Sequence, residues 1–206
     1  MRAAAAREEL FAEIGGKEQT DVAVGILETS QTPTDSIACQ IAEQCGVAPD
    51  KLTLLVARTA SLAGTIQVVA RSVETAMHKL HALGFPLHAV VSGWGTAPLP
   101  PVGSDDLQSI GWTNDAVLYG GHVTLWVRGA SSDIERLGSQ VPSSSSSSWG
   151  ESFRTLFDQA GGDFYKLDPS LFSPARVTFI DLENGRQHSF GTIRTDVLNR
   201  SFGAAS

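Results

Sequence analysis

Two short aliphatic runs, residues 21–27 and Leu52–Ala57, constrain this chain more than any other feature. Each is too short and too continuous for an amphipathic helix, and both are rich in Val, Ile and Leu, so each reads as a buried strand. Between them lies a segment of helical period: Thr34 supplies a cap, Ile37, Ala38, Ile41, Ala42 and Cys45 recur on one face, and Gly46 stops it. A helix over residues 3–14 precedes, ended by Gly15-Gly16, and Ser61 opens a long helix running to Leu83 and Gly84. The order is αβαβα, which places the chain among layered α/β or α+β proteins.

The composition excludes whole classes of partner. Fifteen Lys and Arg face 22 Asp and Glu, a formal charge of −7 over 206 residues, so there is no basic field to hold a nucleic acid. No apolar stretch approaches the roughly 20 residues that span a bilayer. Arg7, Glu8 and Glu9 stand where a secretory signal would place its apolar region, so a cytoplasmic location is expected. Cys39 and Cys45 lie on faces of one helix about 240° apart, which opposes a mutual bridge; both are read as core thiols.

Further along, residues 89–92 lead into a Gly- and Pro-rich stretch, residues 92–101, read as a loop. Ser104-Asp105-Asp106 is a helix start, Thr113-Asn114-Asp115 suggests a short turn, and Val123, Leu125 and Val127 alternate with Thr124, Trp126 and Arg128 as in a strand. Pro142 and six successive serines form the best linker candidate. Beyond it Phe153, Leu156, Phe157 and Ala160 mark a helix, and Asn184-Gly185 predicts a type I′ hairpin. The expected organisation is an N-terminal helix over 1–20, a main α/β domain over 21–141, a serine-rich linker over 142–149 and a C-terminal helix and hairpin over 150–206.

Familiar catalytic signatures are missing. Gly93-Trp94-Gly95 begins like a dinucleotide fingerprint, but Pro98 stands where its third Gly belongs. Among the histidines only His78 and His81 share a helix at a metal-compatible spacing, and no carboxylate or Cys cluster accompanies them, so no metal site is expected. The long helix carries two stripes. Ile66, Val69, Ala70, Val73, Met77 and Leu80 form a core face, while Gln67, Arg71, Glu74 and His78 form a polar line that either meets solvent or looks into a cleft.

Here the sequence meets a known family. Arg58-Thr59-Ala60-Ser61-Leu62-Ala63-Gly64-Thr65-Ile66-Gln67 with Ala70-Arg71-Ser72-Val73-Glu74-Thr75 and His78-Lys79 resembles the methenyltetrahydromethanopterin cyclohydrolases. So do Gly93-x-Gly95-Thr96-Ala97-Pro98, Thr113-Asn114-Asp115-Ala116, Tyr119-Gly120-Gly121, Pro142-Ser143-Ser144, Gly161-Gly162-Asp163-Phe164-Tyr165-Lys166 and Phe172-Ser173-Pro174-Ala175. The resemblance covers nearly the whole chain. It implies hydrolysis of the methenyl bridge of a pterin one-carbon carrier to a formyl group, in methanogenesis or formaldehyde oxidation. It also implies two α/β domains with the pterin in a cleft, a homotrimer, and no metal or other cofactor.

The family's functional pair falls on Arg71 and Glu74. A methenyl bridge between two nitrogens is a delocalised cation, and the barrier lies in the attack of neutral water. Glu74 suits the task of attracting the cation and accepting a proton from that water, with Arg71 orienting it. Thr59, Ser61, Gln67, Gly93, Gly95 and Thr96 are the expected pterin contacts, since close backbone approach to a flat ring favours Gly and small hydroxyl residues. For the glycine loop a rigid turn is the competing reading, and His78 reads equally as a proton relay or a surface residue. Family chains extend further at the N-terminus, and the resemblance begins at about Arg2. The expectation is therefore the C-terminal part of an enzyme, with a non-catalytic pterin-binding or assembly module as the alternative.

Overall fold

The computed structural model describes residues 1–13, 16 and 18–203. The chain divides into two compact units, residues 1–59 and 60–206, where the sequence suggested boundaries near 20, 141 and 149.

The first unit contains α1 (Arg2–Ala5), α2 (Glu9–Glu13), β1 (Ala23–Glu28), α3 (Asp35–Cys45) and β2 (Leu52–Ala57). Its opening is two short helices rather than one, because Ala6 takes a left-handed conformation (φ 46°) between them. Ile14 and Gly15, expected at the end of that helix, lie outside the described residues. In α3 the expected signals operate: Thr34 accepts from the Ile37 N–H at 3.4 Å, and Gly46, at φ 72°, closes the last turn. β1 and β2 pair in parallel, Ala23 opposite Leu52 through Glu28 opposite Ala57. They are not buried on both faces as expected. Val24, Ile26 and Leu55 are exposed, because this sheet has two strands and packs α1 and α3 around a small core, which among the described residues comprises Ala4, Ala23 and Cys45 with their neighbours. Cys39, expected inside, is exposed, while Cys45 is buried.

The second unit contains α4 (Leu62–Val69), α5 (Ser72–Ala82), β3 (Val90–Thr96), α6 (Asp106–Gly120), β4 (His122–Val127), α7 (Ser131–Leu137), α8 (Phe153–Gln159), β5 (Arg176–Asp181), β6 (Gln187–Gly191) and α9 (Thr195–Ser201). Its sheet runs β3-β4-β5-β6, with β4 and β5 parallel and both outer pairs antiparallel. Val123, Leu125 and Val127 of β4 are fully buried, as their alternation predicts, against Ala76 and Leu80 of α5 and Ile134 of α7. A second cluster gathers Leu118, Tyr119, Phe153, Leu171 and Val197 around α6, α8 and α9. Each such large side chain is worth about 1.5–3 kcal/mol in burial.

The expected long helix is broken. α4 ends at Val69 and α5 begins at Ser72, with Arg71 (φ −86°, ψ 13°) between them. The break changes which residues point inward: Ile66 and Ala70, expected in the core, are exposed, whereas Ser72, Ala76 and Lys79 are buried. The start of α5 lies directly on β3. Gly93 and Gly95 are strand residues, not the loop expected there, pairing with Leu125 and Val123. A methyl group on Gly95 would come 2.5 Å from Ser72 Oγ and 3.0 Å from Val73 Cγ2. Gly95→Ala is therefore expected to cost about 1–3 kcal/mol by overpacking, read as a lower midpoint in urea unfolding.

Two other expectations change. Thr113, Asn114 and Asp115 sit inside the continuous helix α6, capped by Asp105, which accepts from the Gln108 N–H at 2.8 Å. The serine run is no linker. Residues Ser143–Ser145 form a 3-10 turn; Ser143 is fully buried and donates to the Leu118 carbonyl at 2.5 Å, and Ser146 donates to Asp168 at 2.5 Å. The hairpin forms as expected, but through a five-residue connection. Only Gly185 takes a positive φ there (70°), which excludes type I′, and the Asp181 carboxylate accepts from the Glu183 N–H and the Asn184 amide.

Candidate functional site

Arg71 and Glu74 are one turn apart across the α4–α5 break, and their side chains meet in a two-pronged pair. Arg71 Nε donates to Glu74 Oε2 at 2.6 Å and Nη2 donates to Oε1 at 2.8 Å. Glu74 falls in the first turn of α5, where a carboxylate suits the positive helix end. Both side chains are about half exposed (52% and 56%), so the pair is worth at most about 1 kcal/mol. Its value lies in geometry: the planar fork fixes the plane of the carboxylate.

The pair borders a cavity of about 450 Å³. One wall is Val68 of α4 with Arg71, Glu74, Thr75 and His78; a second is Asn114, Val117 and Leu118 of α6; the third is Phe164, Tyr165, Leu167, Pro169 and Phe172. All belong to the second unit. The third wall is aromatic, with Phe164 and Phe172 ring centroids 4.8 Å apart and Phe153 packed behind both at 6.2 and 6.3 Å. The arrangement sets a carboxylate held by a guanidinium on one side of an apolar, flat-walled space, suited to a planar ring bearing positive charge.

The other expected contacts lie elsewhere. Ser61 caps α4, accepting from the Gly64 N–H at 3.0 Å. Gln67 is on α4 outside the cavity lining, and Gly93, Gly95 and Thr96 are on β3, also outside it. Thr59 belongs to the first unit, where its buried hydroxyl donates to Glu28. His78 lines the cavity and His81 does not. Among the described residues no group of three or more His, Cys, Asp or Glu is placed to hold a metal ion, and no helix is long and apolar enough to cross a membrane. The aromatic wall and the α6 wall escape a reading by spacing, since they come from positions 40 to 100 residues away; the sequence marks them through the family-like runs Thr113-Asn114-Asp115-Ala116, Gly161-Gly162-Asp163-Phe164-Tyr165-Lys166 and Phe172-Ser173-Pro174-Ala175.

Behind the α6 wall lies a buried acid. Asp115 accepts from the Phe153 N–H at 2.7 Å and the Ser201 hydroxyl at 2.5 Å, tying α6 to α8 and α9. Burial pushes its carboxyl up to about 6, against those two hydrogen bonds. The folded chain thus keeps this proton over a range, from about pH 4 to about 6, where the unfolded chain has released it. The resulting stabilisation is complete below about pH 4 and is lost as pH rises through about 6. Asp115→Asn is expected to remove this dependence: between pH 4 and 7 the stability of the variant relative to the parent rises by about 1–3 kcal/mol, measured by urea unfolding at each pH.

Comparison with known proteins shows the family of the chain. The family model described as Cyclohydrolase (MCH) matches residues 1–202. The methenyltetrahydromethanopterin cyclohydrolase of Methylobacillus flagellatus is 45% identical over 202 residues, 98% of this chain and 62% of that protein. That of Rhodopirellula baltica is 50% identical over 185 residues, 89% of this chain and 56% of the relative. That of Methanococcoides burtonii is 39% identical over 196 residues, 95% of this chain and 61% of the relative. The chain thus spans between 56% and 62% of the length of these relatives. With the family model matching residues 1–202, the chain belongs to the Cyclohydrolase (MCH) family.

Proposed function

We propose that this chain hydrolyses 5,10-methenyltetrahydromethanopterin to the N5-formyl derivative, with Glu74 as general base. The observation that carries the reading is the Arg71–Glu74 pair at the edge of an aromatic-walled cavity. The methenyl carbon lies between two nitrogens that share its positive charge, so a facing carboxylate lowers the energy of the bound cation. Water adds to that carbon while Glu74 takes one of its protons. A carboxylate oxygen has more than one acceptor site, so accepting from Arg71 does not by itself bar Glu74 from taking the proton. The adduct then collapses: its hydroxyl gives up the second proton of the water, the bond from carbon to N10 breaks, N10 takes up a proton in its place, and the formyl group stays on N5. Water is the only co-reactant, and one proton is released overall.

Arg71 serves as the positioner, fixing Glu74 and opposing its withdrawal from the cavity. The flat pterin system stacks along Phe164 and Phe172, and Asn114 and His78 lie within the same lining as polar contacts. Ser61, Gln67, Gly93, Gly95 and Thr96 remain proposed as further carrier contacts within the second unit. A homotrimer, three times the chain mass of 21.8 kDa, and a cytoplasmic location complete the reading. Loss of the methenyl chromophore on adding purified protein tests it directly. Decay faster than the spontaneous rate is expected; binding without any acceleration would instead support the non-catalytic alternative.

A further inference from the structure

We propose that Lys79 is a positioning residue, which holds the aromatic wall of the cavity at its working distance from the helix carrying Glu74. The proposal rests on the cavity being the carrier site. Lys79 lies on α5 five residues beyond Glu74, on a buried face beside Ala76 and Leu80, and is only 5% exposed. Its ammonium donates to the Ser170 carbonyl at 2.6 Å and to Ser145 Oγ at 3.2 Å. Ser170 sits between Pro169 and Phe172, two residues of the cavity wall.

An apolar side chain would fill this place without the desolvation that a buried ammonium suffers. What the ammonium adds is direction: a charge-assisted bond to one backbone carbonyl fixes that turn against α5. Asp168 reinforces the arrangement from the wall side. Its carboxylate accepts from Ser146 Oγ at 2.5 Å, Ser170 Oγ at 2.6 Å and the Ser170 N–H at 2.9 Å. Burial lowers the Lys79 pKa, and the Asp168 charge opposes that shift and favours the ammonium.

The same network reaches the α6 wall. Ser145 shares its 3-10 turn with Ser143, whose hydroxyl donates to the carbonyl of Leu118, a lining residue of α6. Hydrogen bonds behind the cavity therefore join α5, α6 and the 168–172 segment, and the serine run is their junction. The Arg71–Glu74 pair fixes the base; Lys79 fixes what the base faces.

The test uses the full chain and its Lys79→Met variant, with methenyltetrahydromethanopterin as substrate and amide hydrogen exchange as a second readout. Removing a hydrogen bond from a charged donor is expected to raise KM about tenfold while kcat stays within about threefold. Amide exchange is expected to quicken in residues 164–172 and not in residues 122–127. Ser145→Ala, which removes one acceptor and leaves the core filled, is expected to change KM and exchange in the same sense by less. Asp168→Asn combined with Lys79→Met is expected to raise KM by less than the product of the two single effects, as for groups acting in one network. An unchanged KM overturns the proposal, as does a loss of kcat alone or faster exchange across both segments alike. If the parent chain neither binds nor hydrolyses the pterin, the functional reading fails by itself. Exchange then decides the remaining question: quickening confined to 164–172 upholds Lys79 as the tether of that wall, and its absence overturns it.

Discussion

Replacing Glu74 by Gln is expected to lower turnover of the methenyl pterin by about 10²–10⁴-fold, the span that a positioned general base supplies. The amide keeps the size of the side chain and one oxygen to accept from Arg71, but it accepts no proton from water at neutral pH. Stability should change little. The half-exposed ion pair and the first-turn carboxylate each contribute about 1 kcal/mol or less. Chromophore decay and thermal melting of the same preparation separate the two effects. Near-parental turnover in a folded Glu74→Gln protein would remove Glu74 from the role of base.

The second large effect is expected at Phe153, which lies outside the cavity lining. It is fully buried, stacked on Phe157 at 5.9 Å and 16°, and packed against Phe164 and Phe172. Phe153→Ala is expected to cost about 3–5 kcal/mol, from lost burial and from the cavity left behind. The void would open directly behind the aromatic wall, so weaker carrier binding should accompany the fall in stability. Urea unfolding reads the first and KM the second. A loss below about 1 kcal/mol would mean that the surrounding rings collapse into the space.

Much of the local structure was legible because local patterns decide it. Thr34 and Gly46 delimit α3, and the alternation through Val123, Leu125 and Val127 is that of β4. The Arg71–Glu74 pair was visible for the same reason: three residues along a helical turn bring side chains together wherever the chain goes afterwards. The break before Ser72 was not visible, since no Gly or Pro marks it; the close seat of Ser72 and Val73 on Gly95 belongs to tertiary packing. The serine run misled because its composition is that of a solvated linker. Hydroxyls that find Leu118, Lys79 and Asp168 as partners behave instead as an internal adaptor. The aromatic wall lies about 90 residues beyond Glu74, a separation across which no periodicity reaches.

The separation of α4 from α5 also governs which changes in chain length this site can absorb. In one continuous helix, an inserted residue anywhere upstream would turn everything after it by about 100° and carry the base away from the cavity. With the helical phase restarted at Ser72, an insertion or deletion within α4 ends at the joint and leaves the direction of Glu74 to the contacts of Ser72 and Val73 with β3. One residue added between Arg71 and Glu74 has no such buffer. Length variation among related sequences can therefore accumulate on one side of the joint, while the four positions from Arg71 to Glu74 stay at fixed count.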